Sequence, residues 1–221
     1  MELKYYPKQG HFIHAAAHSA AFVGGIGSGK SIAGAIRALL ASQGYVGKKK
    51  VLQTPNLGVV TAPTYVMLRD ASLRAFLETC GAACVDYNKS DYVATMANGS
   101  EVLFRSTDAP DRLRGPSIAW WWGDEAAMYT PDVWNIMIGR LRQYGERGYS
   151  WITSTPRGRN WLWQRFIRDN EQNDDYFVVK ARSKDNPFLD PAIAAEWAAS
   201  YVGDFARQEL DAEFVAFEGL I

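Results

Sequence analysis

The chain has 221 residues, 48% hydrophobic and 22% charged, with 24 Lys+Arg against 24 Asp+Glu. Such a length and balance predict one globular domain with a substantial core and exclude disorder. They also exclude a chain-wide field for polyanions, so nucleic acid would have to meet local patches such as Lys48-Lys49-Lys50 or Arg112/Arg114.

No signal peptide and no apolar run of membrane-spanning length is visible, which predicts a cytosolic protein with no membrane partner. Cys80 and Cys84, four apart, fit reduced structural thiols better than a zinc or redox pair. His11, His14 and His18 fall at helical i, i+3, i+7 spacing, but with no carboxylate or cysteine beside them they read as a surface face. Ala21-Phe22-Val23 is a short apolar strand ending in glycines, and the stretch 31–42 follows with Ile32, Ile36 and Leu40 at helical spacing. Gly58-Val59-Val60-Thr61 reads as a strand, punctuated by Ala62-Pro63-Thr64 and followed by an amphipathic helix with Met67, Leu68, Leu73 and Phe76. Residues 92–96 and 101–104 alternate around Ala97-Asn98-Gly99-Ser100, a hairpin pattern. Asn88-Lys89-Ser90-Asp91 has the N-K-x-D form of guanine recognition. It precedes the acidic strand and no D-x-x-G comes before it, so it reads as a polar loop entering the hairpin.

The run 118–122 is continuously apolar, as expected of a strand covered on both faces. Thr130-Pro131 predicts an N-cap and first helical residue, with the helix stopping at Gly145. Residues 149–153 and 176–179 are strand candidates on either side of a helix at 161–167. The end is helical, with Ile193, Ala194, Trp197 and Tyr201 on one face. Strands alternating with helices predict an α/β fold with a mostly parallel central sheet flanked by helices.

Within that order, GGIGSGKS satisfies G-x-x-x-x-G-K-[ST], with an apolar strand before it and an amphipathic helix after it. Gly24, Gly25, Ile26, Gly27, Ser28, Gly29, Lys30 and Ser31 are therefore candidate ATP-binding residues of a P-loop NTPase. Glycines let backbone N–H groups wrap a phosphate at a helix N-terminus, Lys30 reaches the outer phosphates, and Ser31 ligates Mg²⁺. The bland alternative, a Gly-rich turn with a chance lysine, has the strand–loop–helix context against it.

A P-loop needs a partner strand whose tip carries an acid for the metal. WWWGDEA, residues 120–126, ends three indoles in two carboxylates. Asp124 is the second candidate metal ligand, and Glu125 the candidate catalytic group that polarises the attacking water, alongside Lys30. Between Lys30 and Asp124 lie at least one further helix–strand unit and a hairpin. That suits an ATPase type with an extra strand between the P-loop and acidic strands, and suits kinase or GTPase layouts poorly.

Taken in order, these residues resemble the ATPase domain of the large terminase subunit of tailed bacteriophages over nearly the whole chain. YPKQ (6–9) resembles the adenine-contacting Q motif, which implies that Gln9 reads adenine. APTYVMLRD (62–70), NGSEVLF (98–104) and RLRG (112–115) resemble family segments. TSTPRG (153–158) is similar to the coupling motif, implying that Ser154 and Thr155 sense the γ-phosphate, and DNP (185–187) and QELDAEF (208–214) resemble the closing segments. Many relatives place a basic residue inside the P-loop. Here the loop reads Gly25-Ile26-Gly27, which makes Arg114 the candidate catalytic arginine, in cis or in trans.

The resemblance implies ATP and Mg²⁺ as cofactors, with residues 1–215 as the ATPase domain and 216–221 as the start of a linker toward an absent nuclease domain. No nuclease activity is then expected from this chain alone. It further implies double-stranded DNA, a portal protein and a small terminase subunit as partners. The chain would form a homo-oligomeric ring when assembled on the procapsid portal in the cytoplasm of the infected host, and a monomer in isolation. Arg140, Arg142, Arg157 and Arg159 could face DNA, a neighbouring subunit or water, and the sequence does not rank these. Two rival functions are a helicase-like DNA translocase, whose second recombinase-like domain does not fit this length, and a nucleotide-gated switch with little turnover. Glu125 beside Asp124 argues against the switch.

Overall fold

The computed structural model describes residues 3–170 and 172–216, so residues 217–221 of the expected linker lie outside the described part. Helix α1 (Pro7–Ile13) leads into β1 (Ser19–Gly24), and the glycine loop then opens α2 (Lys30–Ser42). A small ribbon, β2 (Tyr45–Val46) and β3 (Lys49–Lys50), precedes β4 (Leu57–Ala62). The next helix winds as α3 (Tyr65–Met67), a π-wound stretch Leu68–Leu73 and α4 (Arg74–Cys80). Strands β5 (Cys84–Asn88), β6 (Val93–Met96) and β7 (Glu101–Ser106) run antiparallel to one another in turn. The chain continues through β8 (Trp120–Asp124), α5 (Pro131–Arg140), β9 (Tyr149–Ser154) and α6 (Trp161–Trp163), which extends into a π-wound turn Gln164–Arg168. It closes with β10 (Tyr176–Ala181), α7 (Pro191–Ser200) and α8 (Gly203–Glu209).

One eight-stranded sheet has the order β10-β1-β9-β8-β4-β7-β6-β5, parallel from β10 to β7. The expected strand between the P-loop strand β1 and the acidic strand β8 is β9, which arrives later in the chain. Because all these strands run the same way, Gly24 and Asp124 both stand at the carboxyl edge of the sheet, where open α/β sheets place their ligands.

The three tryptophans build the core on both sides of β8. Trp120 and Trp122 face α2, while Trp121 faces α5 and meets Trp134 at 5.5 Å between ring centroids. All three are fully buried, and each indole N–H has an acceptor: Asn56 Oδ1 at 3.0 Å, Thr61 Oγ1 at 2.8 Å and Thr153 Oγ1 at 2.8 Å. An indole buries roughly 200 Å², worth about 5 kcal/mol at 25 cal/mol per Å². The N–H bonds keep that gain from being offset by an orphaned donor. Space for the rings comes from glycines. A Cβ on Gly58 would stand 2.0 Å from the Trp120 ring, and one on Gly34 would stand 2.4 Å from that of Trp122. On α2, the buried Arg37 guanidinium lies between the rings of Phe12 and Trp151 and donates to the Phe12 carbonyl, clasping α1 to α2.

Three readings of the sequence need correcting. Strand β5 was not anticipated, because its exposed and half-exposed residues show no clean alternation. The N-K-x-D stretch is, as expected, a polar turn leading into the hairpin: it joins β5 to β6, Asn88 Oδ1 accepting the N–H groups of Ser90 and Asp91. Helix α5 stops at Arg140 rather than Gly145, since Leu141 bridges to Ile118 and the Arg140 guanidinium turns back onto the carbonyls of Leu113 and Pro116. Helix α1 ends at Ile13, so His11, His14 and His18 do not share a helical face: His14 meets Tyr5 Oη at 2.9 Å and His18 stacks on Tyr149.

The glycine fit is testable. Gly34→Ala and Gly58→Ala should each cost on the order of 2–3 kcal/mol, because a rigid indole must be displaced. An unchanged urea midpoint in both variants would refute this packing account.

Candidate active site

The glycine loop is anchored in its first half and open in its second. Gly25 N–H donates to the Ala181 carbonyl (3.0 Å) and Ile26 N–H to that of Glu209 (2.7 Å), while Ser28 N–H closes back on Gly25 (3.1 Å). Among the described residues none accepts from the N–H groups of Gly27 or Gly29, and Lys30 and Ser31, first in α2, have no intrahelical acceptor. These four amides form the open cradle, so Gly25, Ile26 and Ser28 brace the loop. Gly27 and Gly29 take φ of +69° and +76°, where a side chain would be strained. A Cβ on Gly29 would also collide with Gln9 Nε2 at 2.5 Å, and one on Gly27 with the Trp197 ring at 2.8 Å.

Gln9 is buried with its amide committed to the chain: Oε1 accepts from Tyr6 N–H (3.2 Å) and Nε2 donates to the Gly29 carbonyl (2.8 Å). The expected adenine reader is thus first a strut between α1 and the loop. Tyr6 Oη helps it by donating to the Ser28 carbonyl (2.8 Å), and Asn186 Nδ2 donates to the Gly27 carbonyl (2.7 Å).

At the tip of β8 the Asp124 carboxylate is almost fully buried. Ser31 Oγ (3.2 Å) and Thr153 Oγ1 (2.6 Å) donate to its Oδ1, and Ser72 Oγ (2.9 Å) to its Oδ2. Burial, then the adjacent Glu125 charge, raises its pKa against the lowering effect of Thr153, Lys30 and Ser72. Glu125 itself takes the left-handed conformation (φ 50°, ψ 40°), which costs a non-glycine residue about 1 kcal/mol or more and turns the chain out of the strand. Its Oε1 lies 3.1 Å from Lys30 Nζ, both side chains being only partly exposed, and its Oε2 3.4 Å from Thr155 N–H. Ser154 Oγ accepts from Ala127 N–H (3.0 Å), so the end of β9 is tied to the turn after Glu125.

The fold therefore brings together Lys30, Ser31, Asp124, Glu125, Ser154 and Thr155. Arg114 is not among them. It follows the 3₁₀ turn Pro110–Leu113, beside the far end of α5, and its exposed guanidinium pairs with Asp111 at 3.1 Å. Of the unranked arginines, Arg140 is buried and structural, Arg142 bonds Ser117 and Gly139, and Arg159 lies over Trp163. Sequence reasoning missed Thr153, Ser72 and Asn186. Thr153 was within reach, since alternation in β9 puts it on the opposite face from Ser154, paired with Asp124 in the sheet. Ser72 had no signal, because it is delivered by a π-wound turn whose phase a helical wheel does not follow.

Ser31 and Asp124 offer hard oxygen donors to a magnesium ion. A single buried carboxylate with a hydroxyl fits that ion, which keeps waters and phosphate oxygens as its other ligands.

A glycine loop with open amides leading into α2, a lysine reaching an acid pair on the second strand over, and a strand between them define the fold of a P-loop NTPase. Residues 17–208 match the family model described as phage terminase large subunit, and the chain belongs to that family. It is 32% identical over 135 residues to the terminase large subunit of Thermus phage G20c, covering 53% of this chain and 27% of that protein. The Thermus phage P74-26 large terminase ATPase domain overlays with a TM-score of 0.69 at 25% identity, covering 96% of this chain and 94% of that one. The large terminase of a thermophilic bacteriophage, solved in complex with ADP, overlays at 0.77 with 18% identity, covering 94% of this chain and 53% of that one. The chain thus spans about half of that ADP-bound structure and a smaller share of the G20c relative.

Thr153→Val removes a donor from Asp124 and the acceptor of the Trp122 indole, and should cost about 2–3 kcal/mol at neutral pH. The raised folded pKa of Asp124 means its contribution to stability is full below the ordinary carboxylate pKa and lost as pH rises through the folded value. Losing Thr153 raises that value further, so the deficit should be larger at neutral than at mildly acidic pH. Urea unfolding of both proteins at the two pH values checks the sign.

Proposed function

We propose that this chain is the ATP-hydrolysing motor domain of a phage terminase large subunit, which drives double-stranded DNA into a procapsid from a ring docked on the portal. The observation that carries the reading is the 3.1 Å pair of Lys30 with Glu125 beside the Ser31–Asp124 bond. It supports a role for Lys30 in binding phosphate, for Ser31 and Asp124 in holding a metal and for Glu125 as general base, because the four side chains lie within one group of contacts. The ADP bound to the thermophilic-phage relative supports a nucleotide as the ligand.

The four open amides and Lys30 would hold the β- and γ-phosphates. The phosphate oxygens compete with Glu125 for Lys30, so nucleotide entry releases the carboxylate to accept the proton of the attacking water. Ser31 and Asp124 would hold Mg²⁺, which neutralises charge on the phosphates. Thr155 N–H and Ser154 would register the position of Glu125 and pass it to β9. Gln9 would read adenine only through what its bonds to Tyr6 and Gly29 leave free. The portal, the small subunit and the cytoplasm of the infected host complete the proposal.

Lys30→Ala should lose nucleotide affinity, whereas Glu125→Ala should keep ATP bound and lose turnover. Equilibrium binding and phosphate release read the two separately, and parental turnover by Glu125→Ala would remove the base assignment.

Arg114 stands by the amino edge of β8, away from its own cradle, so we assign it to a neighbouring subunit's site. An arginine supplied to the transition state is worth roughly 10³–10⁵ in rate. Arg114→Ala should bind ATP and be inactive, and mixing it with inactive Glu125→Ala should restore some turnover. If no mixing ratio recovers activity while subunit exchange is demonstrated independently, Arg114 only braces its own loop.

A further inference from the structure

The nucleotide site uses Lys30 and leaves another basic feature without a role. Lys48, Lys49 and Lys50 are consecutive and exposed. Among the described residues, none of them has a carboxylate within salt-bridge distance.

The chain holds them on a fixed support. In the ribbon, Tyr45 pairs with Lys50 and Val46 with Lys49, and Val46 is buried. The N–H groups of Val51 and Leu52 both donate to the Gly44 carbonyl at 3.0 Å, closing the base of the ribbon. Gly47, at φ +62°, forms its tip against α1: a Cβ there would stand 3.1 Å from the His14 carbonyl, and the His14 ring reaches the Gly47 carbonyl at 3.4 Å. Beside the ribbon lies an open groove of about 640 Å³ whose walls include Gly10, His11, His14, Lys48 and Phe177.

Three features of this surface select its partner. The chain is neutral overall, so attraction of a polyanion must come from local clusters of unpaired charge. Lysine ammoniums are point charges without the planar fork that reads a guanine edge, so they suit phosphates whatever the base sequence. A grip that must be released and remade along a duplex needs that indifference. Finally, α2 is a 13-residue rod about 20 Å long that begins at Lys30 and ends at Ser42, three residues before the ribbon. Force on the ribbon therefore bears on the helix whose first residues line the phosphate cradle.

We propose that the Lys48–Lys50 ribbon is the surface with which this chain grips the phosphate backbone of double-stranded DNA. The proposal rests on the DNA-motor reading above and names the DNA-facing surface which that reading leaves open.

The test uses the whole chain, a short labelled duplex and fluorescence anisotropy over a salt series. The triple variant Lys48→Gln/Lys49→Gln/Lys50→Gln replaces each charge with a polar amide and keeps an exposed surface. Its duplex affinity at low salt should fall about tenfold or more, and its slope of log affinity against log salt should be shallower by up to about 2.7, at 0.9 for each phosphate no longer neutralised. Its binding of a fluorescent ADP analogue and its basal ATP turnover should match the parent, because the ribbon touches none of the site, while any stimulation by duplex should disappear. Parental affinity and slope in the variant would overturn the proposal, as would a parent chain that binds no duplex at low salt. Displacement of the duplex by polyglutamate as effectively as by unlabelled duplex would also overturn it, marking a surface for acidic protein instead. Failure of the hydrolysis reading shows separately, as absent turnover in a parent whose duplex binding still depends on the three lysines.

Discussion

The 3.2 Å bond from Ser31 Oγ to Asp124 Oδ1 joins the start of α2 to the end of β8, and most of the molecule is arranged so that this bond can exist. A carboxylate taken out of water is costly unless its lone pairs find donors. Asp124 meets the condition with hydroxyls from three directions: Ser31 from the start of α2, Ser72 from the π-wound helix and Thr153 from β9. These neutral donors offset the cost only in part: burial and then the adjacent Glu125 charge keep the pKa of the group raised against the lowering effect of Thr153, Lys30 and Ser72. A buried acid held by hydroxyls rather than by an arginine is one that retains attraction for an incoming cation.

The tryptophans ahead of that acid are more than filling. Trp122 donates to the same Thr153 hydroxyl that donates to Asp124, and Trp121 donates to Thr61, whose hydroxyl lies 3.1 Å from Tyr129 Oη. Tyr129 Oη in turn lies 2.7 Å from the Asp124 carbonyl. Bulky indoles thereby combine large apolar burial with a fixed donor, and the strand that carries them orients the hydroxyls around its own end. Gly34 and Gly58 give up the volume that the rings occupy, and their lack of a side chain is as much a part of the site as the hydroxyl of Thr153.

What was legible in the sequence divides along the same line. The glycine loop, the Asp124-Glu125 pair and the parallel sheet were readable because each is local: a spacing, an apolar run with acids after it, an alternation of periods. What escaped reading was set by tertiary contact. Gln9 is committed to Gly29, Ser72 and Thr153 reach Asp124 only once the helix after β4 and strand β9 have packed, and α5 is cut short by a bridge between Leu141 and Ile118. Arg114 shows the limit in the other direction. Its closeness to the acidic strand in sequence left open whether it serves its own site or a neighbour's; a strand has two ends, and Arg114 lies by the one opposite Asp124.

The segment after β10 adds a constraint on how the loop can move. The Glu209 carbonyl takes the Ile26 N–H, Asn186 holds the Gly27 carbonyl, and the Trp197 ring lies against Gly27. Asp185, at the end of the 3₁₀ turn Ser183–Asp185, is bonded to Lys8 on α1; burial would raise its pKa, yet Lys8 and Arg182 hold it at about 2. The loop is thus gripped from both sides, by Tyr6 and Gln9 at Ser28 and Gly29 and by the end of β10 and the segment after it at Gly25, Ile26 and Gly27. No residue of α7 is fully buried, and Ile193, Val202 and Phe205 stay substantially exposed. An element that buries so little has little to lose on shifting. A displacement of Gly27 consequently costs least when α7 moves with it, while β1, β9 and α2, locked by the indole core, stay where they are.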